Sequence, residues 1–456
     1  VSLPSSRPGR DPLAPYDAVL LLSYGGPRGP QDVLPFMRNA TAGRGVPDSR
    51  LLEVSGHYQR FGGVSPINAR NAELAAALRA ELEARGCYQP VVVGNRNWHP
   101  FVTEALRELS DAGARRVLAL TTSAFASYSG CRQYREDLAA ALERLGAGTD
   151  GATGRGPEAD AAARVGGPGG QPVRLVVDKT RPCYNAPGLL EANTDAIVQA
   201  YQELAADGVP AADVRLVLVT HSVPVAMEEG SASHPPRLSR PHWEGAGEEA
   251  AAPRSCGLEP GVAPDLSSEV SYVTQHQALA KVLVPAVARR LGLDQVPDYD
   301  LVYCSRSGPP QARWLEPDVN DHLRSLAAAT DSGKGRGGPA GVVVAPVGFV
   351  SDHMEVVFDL DTEARQTAHD LGLAYARAAT AGTHPAFVSS LADLLVERAA
   401  CARGEEVVPV TTTGVGPFHT VCPPGCCLPA PAETAQTAGS DPIPDAVATA
   451  TSRPLP

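Results

Sequence analysis

Aromatic residues are scarce in this chain, 5% of 456 positions, and Trp and Met number three each. The core must therefore be built from Ala, Val and Leu. Long apolar runs are also missing. The longest strand-like runs, such as residues 18–22, fall far short of the roughly 18 residues that span a bilayer, so no transmembrane segment is expected. Positive charge is in deficit. Lys plus Arg total 39 against 51 Asp plus Glu, a net charge of −12, which leaves no general basic face for nucleic acid and requires any anionic ligand to be held by local arginines. The opening 16 residues are rich in Pro, Ser and Arg and lack the apolar stretch of a secretory signal, so a cytoplasmic protein is expected. No G-x-G-x-x-G follows a strand-like run, which argues against a bound dinucleotide.

Glycine and proline are abundant, with 44 and 42 residues, and the length predicts two domains of roughly 100 to 200 residues each. Short β-branched runs alternate with Ala/Leu/Glu-rich stretches at helical spacing, the pattern of an α/β fold built on parallel sheets. Strands are expected at 18–23, 91–95, 117–122, 173–178, 216–220, 301–304 and 342–347. Helices are expected at 68–85, 102–112, 131–145, 189–206, 273–291, 362–379 and 385–401. Three Gly/Pro/Ser/Ala-rich segments without periodicity read as mobile insertions: 146–171, 230–264 and 331–340. The first of these is the expected boundary between domain 1 (16–145, joined by helices at about 366–401) and domain 2 (172–365). Residues 402–427 form a Cys-containing extension. The N-terminus, 1–15, and the Pro/Ala/Thr-rich tail, 428–456, are expected to be disordered.

Ligands of open parallel sheets bind beyond the carboxyl ends of the strands, so the residues just after each run are the informative ones. Here they are polar. Strand-like runs lead into Tyr24-Gly25-Gly26-Pro27, His221-Ser222-Val223-Pro224, Ser305-Arg306-Ser307-Gly308-Pro309, and Gly348-Phe349-Val350-Ser351-Asp352-His353-Met354-Glu355. A tyrosine, a histidine, an arginine and a glutamate are thereby placed to converge on one cleft. Glu355, Asp359 and Glu363 recur at intervals of four, which on a helix sets three carboxylates on one face, at a cost of about 0.2–0.5 kcal/mol per like-charged pair.

Taken in order, Y-G-G-P, T-H-S-V-P, S-R-S-G-P-P and G-F-V-S-D-H-M-E-V resemble the ferrochelatase family. Further matching stretches are Gly62-Gly63-Val64-Ser65-Pro66, Asn97-Trp98-His99-Pro100 and Trp314-Leu315-Glu316-Pro317-Asp318-Val319, and the resemblance runs from about Asp17 to Cys401. It implies two Rossmann-like domains without a dinucleotide, with the active-site cleft between them, and insertion of Fe2+ into a porphyrin. That chemistry strips water from the ion, presents it to a bent macrocycle and removes two pyrrole protons. Imidazole suits both tasks, because it binds Fe2+ when neutral and titrates near neutral pH. His221 is the expected metal ligand or proton acceptor, and Glu355 its partner carboxylate; which of the two delivers metal is left open by the sequence. Asp359 and Glu363 are expected as outer, water-mediated metal ligands. Tyr24, on the opposite wall, is placed to become an axial ligand to inserted iron. Arg38, Arg44, Ser65 and Tyr128 match porphyrin-contacting positions of the family, where many members carry arginine at the place of His57. Tyr24 and the actinobacterial character of the chain resemble members that act on coproporphyrin III, with its four propionates, so the resemblance implies that substrate over protoporphyrin IX.

Nine cysteines is an odd count that points to metal binding or free thiols rather than a disulfide framework. Cys422, Cys426 and Cys427 lie within six residues beyond the last helix. The resemblance implies a [2Fe-2S] cluster held by these three and an internal cysteine, as in actinobacterial members. Cys183 is the expected fourth ligand, with Cys131, Cys304 and Cys401 as competitors and zinc as an alternative occupant. A downstream enzyme of haem synthesis is an expected partner.

Overall fold

The computed structural model describes residues 11–43, 45–145, 162–166, 172–231, 270–307, 312–331, 338–415, 417–418, 420 and 426–427. Nine strands are described among them: β1 (Ala18–Ser23), β2 (Val91–Asn95), β3 (Arg116–Thr121), β4 (Ala162–Gly166), β5 (Pro172–Lys179), β6 (Val214–His221), β7 (Tyr299–Cys304), β8 (Gly341–Ala345) and β9 (Ala374–Arg377). The α/β architecture follows the expected alternation of strands and helices. The seven expected strands are all present, each within a few residues of its predicted ends.

The first sheet has the order β2-β1-β3-β5-β4 and the second β7-β6-β8-β9. All pairings are parallel except β4 with β5. Helices α1 (Val33–Ala40), α2 (Asp48–Gln59), α3 (Ile67–Ala84), α4 (Val102–Asp111) and α5 (Gln133–Arg144) follow strands of the first sheet. Helices α6 (Pro187–Ala206), α7 (Val225–Ser231), α8 (Tyr272–Leu291), α9 (Val319–Asp331), α10 (Arg365–Asp370) and α11 (Pro385–Ala402) complete the chain. Strand residues such as Leu20, Leu21, Val217 and Val343 are wholly buried, as parallel sheets covered on both faces require.

Two expectations about domain organisation are corrected. The Gly-rich segment 146–171 was expected to separate the domains, yet β5 beyond it pairs with β3 in the first sheet. The described part of the segment, Ala162–Gly166, is β4 and pairs antiparallel with β5, so it belongs to the first sheet. The chain crosses to the second half only between Lys179 and Pro187, where α6 begins to pack on α8 and the second sheet. The helix expected at 362–379 is likewise divided. An i→i+5 turn over Val356–Ala364 runs into α10, Gly372 takes φ +70° just past its end, and Ala374–Arg377 pairs with β8 as an edge strand. A left-handed glycine is a strong helix stop, and four residues are too few to show a period of two.

The N-terminal residues 11–15 fall in a stretch expected to be disordered, but Leu13 is wholly buried and Arg403 Nη1 donates to the carbonyls of Pro12 and Ala14. Residues 1–10, the tail 428–456, and most of the segments expected to be mobile (146–161, 167–171, 232–264 and 332–337) lie outside the described residues. The helix α11 lies between α3 and α6 and joins the core of the first half, whereas α10 packs through Ala368 in the core of the second sheet. The approach of α11 to α6 is very close: a Cβ added at Gly188 would sit 1.9 Å from the Ala386 carbonyl oxygen, while the Gly188 N–H donates to Ser390 Oγ at 2.8 Å. No helix among the described residues is long and apolar enough to cross a membrane.

Gly188→Ala is therefore expected to destabilise the protein by about 1–3 kcal/mol through overpacking. A thermal unfolding midpoint equal to that of the wild type would show that α6 and α11 yield without cost.

Candidate active site

Segments that follow strands of the two sheets meet, Ala126 with Gln275 and His57 with Phe358. The buried Gln275 side chain of α8 accepts from the Ala126 N–H at 2.7 Å and donates to the Ala126 carbonyl at 2.9 Å, pinning the loop after β3 to the second half. At the end of β6, His221 Nδ1 lies against the Ser222 carbonyl. A carbonyl only accepts, so Nδ1 carries the proton and Nε2 is turned outward. The Tyr272 hydroxyl donates to the His221 carbonyl at 3.2 Å and meets Thr220 Oγ1 at 2.7 Å, which fixes the strand end from behind.

Glu355 is brought to His221 by the loop after β8. That loop turns back tightly at Gly348, where a Cβ would stand 2.0 Å from Thr220 Oγ1, so only glycine lets it pass. Asp352 then anchors the loop by accepting from Arg377 Nη1 at 3.1 Å and Thr380 Oγ1 at 3.2 Å. Glu355 Oε2 is left 3.5 Å from His221 Nε2 and 3.6 Å from His353 Nε2. The Val356 N–H donates to His353 Nδ1 at 3.2 Å, so His353 presents its Nε2 proton to the same carboxylate. One carboxylate between two imidazoles was half legible: His221 and Glu355 were expected, whereas His353 had been read only as part of the motif.

The wide turn that follows sets out the other acids. Ser305 Oγ donates to Asp359 Oδ2 in a short contact, from a backbone at φ +65° that a non-glycine residue adopts only where its surroundings enforce it. Glu363 is exposed and close enough to His57 for its charge to oppose the burial that holds the His57 pKa below the usual histidine value. Glu355 and Glu363 both act on Asp359 by their charge, so the three carboxylates are neighbours along this turn, which is wider than the α-helix that the interval of four assumed. His57 stacks on Phe358 with ring centroids 3.9 Å apart, so α2 of the first half closes over the turn.

The other expected residues are distributed around this centre. Tyr24 is partly exposed on the opposite wall, edge-on to Phe36 and under the Arg96 guanidinium, which lies 5.8 Å from its ring. Tyr58, on a helix that sequence reasoning did not anticipate, feels the charges of Glu355, Tyr24 and Asp359 and so stands where the two walls meet. Ser65 is buried against Gly26, beside the Tyr24 loop. Tyr128 is buried with its hydroxyl on Glu136 at 3.0 Å. Arg38 is paired with Asp48 on the surface at 2.7 Å, and Arg306, expected to converge on the cleft, is turned outward to Glu316 at 3.0 Å. Arg44 lies outside the described residues.

The cysteines form a second locality. Cys183, Cys426 and Cys427 are buried and belong to one hydrophobic cluster that also contains Cys131, whereas Cys304 belongs to the core behind β7. Sγ of Cys426 and Sγ of Cys427 are 3.7 Å apart and not joined by a disulfide. The loop carrying Cys183 is held by the C-terminal extension, through Arg181 Nη2 to the Val410 carbonyl at 3.2 Å and the Thr412 N–H to the Asn185 carbonyl at 2.9 Å. Cys422 lies outside the described residues, and among the described residues no three His, Cys, Asp or Glu side chains converge as a ready-made metal site.

Electrostatics divide the roles within the site. Burial opposes the charge of Glu355, but His221 and His353 beside it hold its pKa down at about 2. Burial also opposes the charge of His221, yet Glu355 and the Ser222 carbonyl outweigh it and raise the pKa above the usual histidine value. His353 is shifted the other way by burial and stays neutral more readily. Asp359 is pushed up to about 7 by burial and by the charges of Glu355 and Glu363, against the hydrogen bond from Ser305. The centre thus combines a carboxylate held ionised by two imidazoles, an imidazole whose pKa is raised above the usual histidine value, and an acid that titrates at about 7. Raising the pH frees His221 Nε2 and ionises Asp359, and both changes favour cation capture.

The family model described as Ferrochelatase matches residues 16–153 and 160–399. A protein of Streptomyces coelicolor described as coproporphyrin III ferrochelatase is 43% identical over 428 residues, covering 94% of this chain and 97% of that protein. One of Leifsonia xyli with the same description is 39% identical, covering 91% and 92%. A ferrochelatase of Rhodopirellula baltica is 37% identical, covering 92% and 95%.

Replacing Glu355 by Gln removes the charge that raises the His221 pKa, so the imidazole is expected to titrate at lower pH in that variant. NMR titration of the ring protons measures this directly, and an unmoved midpoint would rule out Glu355 as the cause. In the wild type the metal-insertion rate is expected to climb as the pH passes through about 7, the midpoint of Asp359.

Proposed function

Since the chain belongs to the ferrochelatase family, we propose that it inserts Fe2+ into coproporphyrin III to give Fe-coproporphyrin in haem biosynthesis. The reaction exchanges two pyrrole N–H protons for one dication, so the site must offer a cation path, a proton acceptor and a wall that bends or holds the ring. The observation that carries the reading is the opposition of His221 Nε2 and Glu355 Oε2 at 3.5 Å, with two neighbouring carboxylates and across from Tyr24.

In this reading Fe2+ enters past Glu363 and Asp359, which hold it through water. Glu355, ionised at every physiological pH, faces the arriving cation. His221 meets the macrocycle through Nε2, as proton acceptor or metal ligand, and its raised pKa suits it to take a pyrrole proton. Tyr24 stands on the far side as an axial ligand to inserted iron. Arg38, Arg44, Ser65 and Tyr128 serve the propionates. Arg38 exchanges its surface partner Asp48 for a substrate carboxylate, a swap between exposed partners that costs little.

In this reading Cys183, Cys422, Cys426 and Cys427 would hold a [2Fe-2S] cluster. The 3.7 Å between the Cys426 and Cys427 sulfurs equals the edge of a tetrahedron with metal–sulfur bonds of about 2.3 Å. Burial pushes the Cys183 thiol up to about 12, a protonated state that only a bound metal would reverse. When bound, such a cluster supplies one-electron chemistry. A cytoplasmic setting, where thiols stay reduced, suits this reading, with a later enzyme of the haem route receiving the product.

His221→Ala is expected to abolish iron insertion while leaving porphyrin binding, read by absorbance or fluorescence, in place. Wild-type protein that binds porphyrin but inserts no iron would instead be a sensor. Coproporphyrin III is expected to turn over faster than protoporphyrin IX, and the reverse order would overturn the substrate assignment. Anaerobically purified protein is expected to be coloured and to contain iron and acid-labile sulfide in equal amounts. A colourless preparation free of both would sink the cluster.

A further inference from the structure

A charged pair outside the iron centre links the two localities. Tyr128 and Arg132 bracket the wide turn that leads into α5. The Tyr128 hydroxyl donates to Glu136 Oε2 at 3.0 Å, and Arg132 Nε donates to Glu136 Oε1 at 2.9 Å. The same guanidinium donates through Nη1 to the Cys426 carbonyl at 3.2 Å. The Arg132 and Glu136 side chains are only 12% and 29% exposed, so water screens their interaction weakly.

A phenol has one proton to donate, and in the free chain Glu136 receives it. A propionate arriving at Tyr128 must therefore approach a carboxylate already in place, and two neighbouring carboxylates repel unless a cation compensates one of them. Arg132 supplies that compensation. Its planar fork reaches two acceptors at once, so the position of the Cys426 carbonyl fixes where the guanidinium stands over Glu136.

We infer that Arg132 is a positioning residue that couples the C-terminal cysteine segment to the propionate subsite at Tyr128, neutralising Glu136 so that the subsite admits a porphyrin carboxylate. The inference rests on the reading of Tyr128 as a propionate contact. It concerns the binding of the macrocycle and not the passage of iron.

The experiment is steady-state kinetics of the full-length protein with coproporphyrin III and ferrous iron. Arg132→Ala is expected to raise the porphyrin KM about tenfold, the usual worth of a charge-assisted contact, with kcat and the iron KM nearly unchanged. Adding Glu136→Gln to that variant is expected to restore the porphyrin KM, because the uncompensated charge is gone. A double variant that remains as impaired as the single would make Arg132 a structural prop and overturn the inference. Tyr128→Phe separates the two levels of the argument. If it raises the porphyrin KM and Arg132→Ala does not, the coupling alone fails; if it leaves the KM unchanged, the propionate reading fails first. Coupling is also reciprocal. Coproporphyrin III is expected to slow limited proteolysis of the C-terminal segment in the wild type and not in Arg132→Ala, and equal protection in both would disconnect the tail from the subsite.

Discussion

The tight passage of Gly348 beside Thr220 is the constraint on which the site depends. Strands β6 and β8 are hydrogen-bonded neighbours, so their ends are automatically close, but closeness of strand ends does not bring two side chains face to face. The loop after β8 must bend back across β6 before it can return as the turn that carries Glu355. A side chain at 348 would hold the two backbones apart, and the Asp352–Arg377 pair would have nothing to lock. The bend explains why the residues between β8 and Glu355 form one continuous motif. Gly348 makes the approach, Asp352 fixes it, His353 and Glu355 use it.

Around that bend the protein gathers groups that would repel or neutralise one another in water. Three carboxylates and two imidazoles share one partly open cleft, and their environments push them in different directions. Glu355 is held as an anion near 2, while Asp359, one turn away, is moved to about 7. The difference arises because Glu355 lies between two imidazoles, whereas Asp359 is buried between two other acids with a serine hydroxyl as its main compensation. Separation of this kind gives adjacent acids distinct tasks, one permanently charged and one able to exchange a proton near neutral pH.

Much of this was legible in the linear chain. Strand ends are recognisable because β-branched runs stop abruptly at Gly, Pro and polar residues, and the order of the motifs there, through their resemblance to the family, singles out Tyr24, His221 and Glu355. The parts that were not legible depend on contacts between distant segments. Ser305 reaches Asp359 through a left-handed backbone that its sequence does not announce. Tyr58 matters because α2 folds over the opposite wall, and α2 has too weak an apolar stripe to be recognised as a helix. Strand β9 is too short to show a period, and the glycines of 146–171 looked like a linker because composition records local freedom and not the pairing partner of the next strand. The outward turn of Arg306 was decided by Glu316, ten residues away.

The position of α11 has a consequence for how the chain is made. Residues 385–402 complete the core against which α3 and Tyr184 pack, and Arg403 ties down the segment before β1. The first half is thus finished by a part of the chain that is made only after the second sheet. Domain-by-domain folding in order of synthesis is closed to this protein: while the second sheet is being translated, the apolar face of α3 waits without its cover, and newly made chains pass through an interval of aggregation risk that ends only when α11 docks.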